Sequence, residues 1–262
     1  MRQLSHGCYN PIKVKLHVLW LTFFSYLQIM NWLTREFKNL ADLFYPELCI
    51  TCGDRLAKQE QYLCLHCWSD LPVTNFHFTS DNRVSKLFWG RVQVENATAF
   101  YAYNKGSKYQ QLIHYIKYKG MKELGYAAGT RFGHALSESV LFNSIDIIVP
   151  VPLHPSKEKQ RGYNQSEWIA KGLAFSMQKE VSTGNLVRKV HTSTQTKKNR
   201  FERWENVENI FAVQKPGEFE GKHILLSDDV ITTGSTLEAC AAELLKIEGV
   251  KVSTATLAFA DY

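Results

Sequence analysis

The feature that most constrains the fold is the alternation at the C-terminal end. "GKHILLSDDV" (221–230) is an apolar run. "LEACAAELLKIEG" (237–249) has helical spacing, with Leu237, Cys240, Ala241, Leu244 and Leu245 on one side. "VKVSTATLAFA" (250–260) is a second apolar run. Short continuous apolar runs are expected of strands buried on both faces, and a helix that joins two of them makes them parallel partners in one sheet. Gly249 is the stop signal of that helix. Cys240 falls on its inward side, so packing is its expected role.

The same alternation extends upstream. "ATAFYAYN" (97–104) predicts a strand, and the stretch 107–136 predicts one or two helices with Tyr109, Leu112, Ile113 and Ile116 on one face. "IDIIVPV" (145–151) predicts a doubly buried strand, "PLHPSKEKQRGY" (152–163) a loop and "LVRKV" (186–190) a further strand. Asn164 with Glu167 forms a capping-box pattern before a helix whose inner face is Ile169, Ala170, Leu173, Ala174 and Met177. Residues 191–209 are polar and basic without period, as in a long functional loop. The expected fold class is α/β, a mainly parallel sheet flanked by helices.

Within the opening stretch, Asp228 and Asp229 precede a loop of Thr232, Thr233, Gly234, Ser235 and Thr236. Ligands of open α/β folds bind at the C-terminal ends of strands. A loop leading into a helix offers free N–H groups and hydroxyls to an anion, and a glycine lets the backbone approach it. Carboxylates repel phosphate, so the acidic pair must face another part of the same ligand. Sugar hydroxyls, or a Mg²⁺ ion, would satisfy it. A ribose 5-phosphate fits both ends. The sequence has no Walker loop and no dinucleotide fingerprint. The plain alternative is a strand–turn–helix in which Asp and Thr serve as turn and cap residues.

Cys49, Cys52, Cys64 and Cys67 form C-x2-C-x11-C-x2-C, the spacing of a tetrathiolate zinc site; two disulfides are the alternative. Zinc thiolates imply a reducing compartment, here the cytoplasm. Cys8 follows no pattern. Residues 1–30 include an apolar stretch, "LHVLWLTFFSYLQIMNWL" (16–33) in part, interrupted by His17, Thr22, Ser25 and Gln28. The preferred explanation is a start at Met30; a hydrophobic leader or anchor is the alternative, and membrane association is expected only if that leader is genuine. The remaining chain is expected to divide into a helix with the zinc module (31–75), a linker (76–96) and an α/β domain (97–262). The formal charge of +6 permits an anionic partner without demanding one.

"ILLSDDVITTGST" (224–236) resembles the phosphoribosyl pyrophosphate (PRPP) signature of type I phosphoribosyltransferases. The tetracysteine knuckle, "YKGMKELG", "VPVPLHPSKEKQRGYNQSE", "TQTKKNRFERWENVENIF" and that signature follow one another in the order of the ComF family of competence-associated and GntX-like proteins. The resemblance implies ribose hydroxyls on Asp228 and Asp229 and the 5-phosphate on Thr232, Thr233, Gly234, Ser235 and Thr236. It also implies a diphosphate near Lys157 and Arg161, Mg²⁺ bound with PRPP, and a mobile loop carrying Lys197, Lys198, Arg200 and Arg203. Each cation also has an ordinary reading as solvated surface charge.

The resemblance further implies handling of single-stranded DNA in natural competence, with competence proteins as partners. Tyr101, Tyr103, Lys105, Lys108, Tyr109, Tyr115, Lys117, Tyr118, Lys119 and Lys122 mix rings with cations as single-strand binders do, although core tyrosines and solvated lysines explain the same pattern. The functional alternative is an active phosphoribosyltransferase of nucleotide salvage or amidophosphoribosyl transfer, which displaces pyrophosphate with a nitrogen nucleophile. No residue cluster declares an acceptor.

Overall fold

A computed structural model of the chain describes residues 28, 30, 32, 45–189 and 210–261. Residues 191–209, with the expected mobile-loop cations, and nearly all of 1–30 lie outside the described residues. Contacts divide the chain into two compact units, one including Gly53–Cys64, the other formed by Ile50–Cys52 and Leu65–Tyr262. In the first, Leu48 and Arg55 form an antiparallel bridge, and Gly53 turns the chain at φ +80° so that its N–H reaches the Cys49 carbonyl at 2.9 Å.

In chain order the second unit contains helix α1 (Leu65–Ser69), strand β1 (Ala97–Tyr103), helices α2 (Gln110–Tyr118) and α3 (Lys122–Ser137), and strand β2 (Ile147–Pro150). Helices α4 (Pro155–Arg161) and α5 (Gln165–Met177) follow, then strands β3 (Glu180–Val181), β4 (Leu186–Arg188) and β5 (Phe211–Val213). The last elements are strand β6 (His223–Ile231), helix α6 (Ser235–Leu244) and strand β7 (Lys251–Ala260). The sheet runs β1-β7-β6-β2-β3 and every pairing is parallel. β4 and β5 form a separate antiparallel pair. Continuous burial along β7 and most of β6 explains the unbroken apolar runs, because both sheet faces are covered.

On one side, α3 and α5 cross at backbone distance. A Cβ on Gly129 would lie 2.3 Å from the Ile169 carbonyl oxygen, and one on Gly172 would lie 2.2 Å from that of Tyr126. Only glycine permits that approach, and it brings the start of α5 over β6. On the other side a cluster forms from Val149, Ile224, Leu226, Leu237, Cys240, Leu244 and Val252, joined by Val84 and Phe88.

Val84 and Phe88 belong to the stretch expected as a linker. Residues 76–96 instead hold two 3-10 turns, and each fully buried large side chain contributes roughly 1.5–3 kcal/mol. Asn82 fixes the stretch by donating to the Ala97 carbonyl at 2.9 Å and accepting from the Val84 and Ser85 N–H groups. The expected loop at 152–163 contains α4, opened by Pro155 after the His154 cap and closed by Gly162 at φ +80°. Asn164 caps α5 as expected, but Glu167 does not complete the box; it pairs with Lys171 at 2.7 Å.

Candidate functional site

β6 continues past the two aspartates to Ile231, so they lie inside the last part of the strand rather than after it. Alternation along a strand sends neighbouring side chains to opposite faces. The Asp228 Oδ1 atom accepts from the Ser166 hydroxyl at 2.7 Å and from the Asp229 N–H at 2.8 Å. Ser166 is delivered by the α5 cap: the Asn164 Oδ1 accepts its N–H at 3.1 Å, while the Asn164 amide donates to the Val151 carbonyl at 3.0 Å. Burial pushes the Asp228 carboxyl well above the usual carboxylate range, and the charge of Asp229 pushes it further. The Ser166 and Asp229 donors and the Lys117 ammonium oppose that rise.

Asp229 is 3% exposed. Its Oδ1 lies 2.8 Å from the Lys117 Nζ, at the end of α2. Its Oδ2 is buried and has no hydrogen-bond partner among the described residues. A buried, half-satisfied carboxylate at a strand end is an acceptor waiting for a donor or a cation.

The following turn supplies the opposite chemistry. Thr232, Thr233, Ser235 and Thr236 are exposed, and Gly234 sits at φ +78° immediately before α6 without any side-chain cap on the helix. The first-turn N–H groups and the hydroxyls thus face outward, as an anion needs. A Cβ on Gly234 would meet Phe88 at 3.5 Å, an ordinary contact, so the backbone conformation rather than space selects glycine. Arg91 braces the turn: its Nη1 donates to the Thr233 carbonyl at 2.9 Å and to the Leu87 carbonyl at 3.0 Å, and its Nη2 pairs with Glu238 in the first turn of α6.

Lys117, Ser166 and Arg91 escaped the sequence reading. Lys117 falls in the ring-and-cation set, Ser166 carries no sequence signal of its own, and Arg91 falls in the expected linker. A lone basic residue in the apolar-faced pattern of α2 was the one available signal, and it did not name its partner.

The other expected residues disperse. Arg161 is half-buried; its Nη1 donates to the Gln165 Oε1 at 2.8 Å and its guanidinium lies 5.1 Å from the Tyr118 ring centre. Lys157 is exposed on α4. Lys197, Lys198, Arg200 and Arg203 lie outside the described residues. Of the ring-and-cation set, Tyr101, Tyr103 and Tyr109 are buried and offer no stacking face. The Tyr109 hydroxyl donates to the Asp70 carbonyl at 2.8 Å, and Lys108 pairs with the Asp70 carboxylate at 2.9 Å. Tyr118 is 63% exposed, and Lys105 and Lys119 also face solvent.

The Sγ atoms of Cys49, Cys52, Cys64 and Cys67 lie within 4.8 Å of one another. A zinc tetrahedron with Zn–S of about 2.3 Å needs sulfurs about 3.8 Å apart, so the donor set fits a structural zinc ion. The Cys64 N–H donates to the Cys49 Sγ at 3.4 Å, a bond that favours thiolate. Next to the second knuckle, the Arg131 guanidinium of α3 covers the Trp68 ring at 4.3 Å.

Comparison with known proteins agrees with both parts. Residues 161–261 match the phosphoribosyl transferase domain family, and residues 40–77 match the double zinc ribbon domain. The chain is 29% identical over 216 residues to "Competence protein ComFC" of Bacillus subtilis, covering 80% of this chain and 83% of that one. It is 28% identical over 211 residues to "DNA utilization protein YhgH" of Escherichia coli K12, covering 76% and 84%. It is also 38% identical over 105 residues to "Competence protein F" of Haemophilus influenzae, covering 39% and 45%.

Proposed function

The chain belongs to the ComF family of proteins built around a phosphoribosyl transferase domain, and from that premise we propose that it binds PRPP and handles single-stranded DNA in the cytoplasm during DNA uptake. The observation that carries the PRPP half is the acidic pair of β6 joined by one tight turn to an uncapped helix N-terminus. Asp228 and Asp229 accept from the ribose 2- and 3-hydroxyls. The N–H groups and hydroxyls from Thr232 to Thr236 hold the 5-phosphate. Arg161 and Lys157, with Arg200 and Arg203, meet the diphosphate. Mg²⁺, bound with PRPP, would supply further positive charge to that diphosphate.

The DNA half is supported by the names of the relatives, a DNA utilization protein and two competence proteins, and by the exposed Tyr118, Lys105 and Lys119. No helix among the described residues is long and apolar enough to cross a membrane.

Calorimetry with PRPP and Mg²⁺ tests the reading. Removing two charged acceptors with Asp228→Asn plus Asp229→Asn should weaken PRPP by at least about a hundredfold, since each charge-assisted hydrogen bond contributes about 1.5–3 kcal/mol. Unchanged affinity in the double variant would sink the ribose assignment. A screen of pyrophosphate release across bases and amines then separates a binding protein, which releases none, from a transferase.

A further inference from the structure

Lys117 has no part in the phosphate chemistry described so far, yet it contacts the most buried carboxylate of the site. Its side chain keeps 21% of its exposure and its Nζ lies 2.8 Å from the Asp229 Oδ1. The end of α2 is fixed against the same junction that carries the rest of the site: the Tyr163 hydroxyl donates to the Ile116 carbonyl, and Tyr163 directly precedes the Asn164 cap of α5. Lys117 and Ser166 therefore reach the acidic pair from two different helices, Lys117 on Asp229 and Ser166 on Asp228.

A buried ion pair built for stability alone should satisfy the remaining lone pairs of its carboxylate, because an unmet buried acceptor offsets the Coulombic gain. Here the Asp229 Oδ2 is buried and, among the described residues, unpartnered. The pair is half-complete: one oxygen is held by a cation on the chain, and the other meets no donor among the described residues. A carboxylate pair of this kind ordinarily needs external positive charge before both members are ionised together.

We propose that Lys117 is a positioning residue that holds Asp229 by Oδ1, leaves Oδ2 to accept from a ligand hydroxyl, and supplies on the chain the positive charge that a divalent cation would otherwise bring to the ribose end of the site. The proposal rests on the ribose phosphate reading. Its consequence is a division of labour. Recognition of the vicinal diol needs no metal, and the metal requirement of PRPP comes from its diphosphate.

The probe is ribose 5-phosphate, which carries the diol and the 5-phosphate but no diphosphate. Its affinity is measured by calorimetry with chelator and with Mg²⁺, for the wild type and for Lys117→Met, which keeps the apolar stem. The wild type should bind with less than about a twofold effect of Mg²⁺. Lys117→Met should lose about tenfold or more without metal, the worth of one charge-assisted contact, and regain part of it when Mg²⁺ is added. Inorganic phosphate, which touches only the turn, should bind both proteins alike; a merely structural role would not separate the two ligands.

Lys117→Met that binds ribose 5-phosphate as tightly as the wild type overturns the proposal and leaves the ribose phosphate reading intact. If that variant does not fold, the wild type still decides, because ribose 5-phosphate binding that requires Mg²⁺ overturns the proposal too. A wild type that binds ribose 5-phosphate under neither condition defeats the ribose phosphate reading and the proposal together.

Discussion

Asp228 and Asp229 are adjacent in sequence but differ in partners: one takes a hydroxyl and a backbone N–H, the other a lysine. Asp228 is the member whose proton is held. Because its carboxyl titrates above the ordinary range in the fold, the folded state binds that proton more tightly than the unfolded chain does. Ionising it therefore costs stability. The cost is absent in acid and grows as pH rises from the ordinary carboxylate range toward neutrality. Asp228→Asn removes the charge and keeps the shape. The ligand-free variant should melt about 3 °C higher than the wild type near pH 8, with the difference closing near pH 4. Calorimetric melts across that range check it, and an equal destabilisation at every pH would show that the shape of the carboxylate, not its charge, dominates. The sequence displayed this pair and the turn after it because their chemistry is local. It did not display Lys117, Ser166 or Arg91, because each reaches the site only through packing that brings α2, α5 and the 76–96 stretch onto β6 and α6.

At the scale of elements, helix and strand types were legible wherever the apolar period was long: β6, α6, β7, α5 and the pair α2 and α3. The short pieces were not. α4 lies in a polar, Lys-rich stretch that has no apolar face to announce it, and none of its residues is buried. The 76–96 stretch buries Val84 and Phe88 from 3-10 turns, whose short runs carry no readable period. What the sequence held in plain view, without its meaning, was the glycine spacing of α3 and α5. Gly172→Ala would place a Cβ 2.2 Å from the Tyr126 oxygen and 2.7 Å from the Thr130 nitrogen, both backbone atoms that cannot step aside singly. The two helices must separate, at a cost of about 1–3 kcal/mol. Since α5 carries Asn164 and Ser166, ribose phosphate affinity should fall with the melting temperature. Gly125→Ala is the control: its Cβ would meet Ile116 and Ile169 at 3.6 Å, ordinary contact, and alanine favours helix by about 1 kcal/mol. Chemical denaturation of the two variants measures both effects; a Gly172→Ala protein as stable as Gly125→Ala would show that the interface yields more easily than its backbone distances imply.

For the whole molecule, the zinc knuckle and the sheet are connected by a segment that is itself part of the sheet's edge. After Cys67 and α1, the chain reaches Val73, which bridges Tyr101 of β1 in antiparallel sense. The Ala102 N–H donates to the Pro72 carbonyl and the Thr74 N–H to the Phe100 carbonyl, both at 3.0 Å. β1 would otherwise present an open edge, with β7 as its one neighbour in the sheet. Asp70 adds side-chain contacts to Lys108 and Tyr109 at the approach to α2. Cysteine ligands organise little without their metal, because folding and binding are one event in such knuckles. Zinc removal should therefore loosen more than the knuckle. Hydrogen exchange after chelation should rise at Thr74 and Ala102, which depend on this segment, while amides of β6 between β7 and β2 keep their protection. Ribose phosphate affinity should change by less than about twofold, because the acidic pair and the turn before α6 take their side-chain partners from Lys117, Ser166 and Arg91. Unchanged exchange at both edge amides would mean that the Pro72–Thr74 pairing holds itself against β1 without the zinc site. A collapse of ribose phosphate binding would mean that the edge and the central strand melt as one unit.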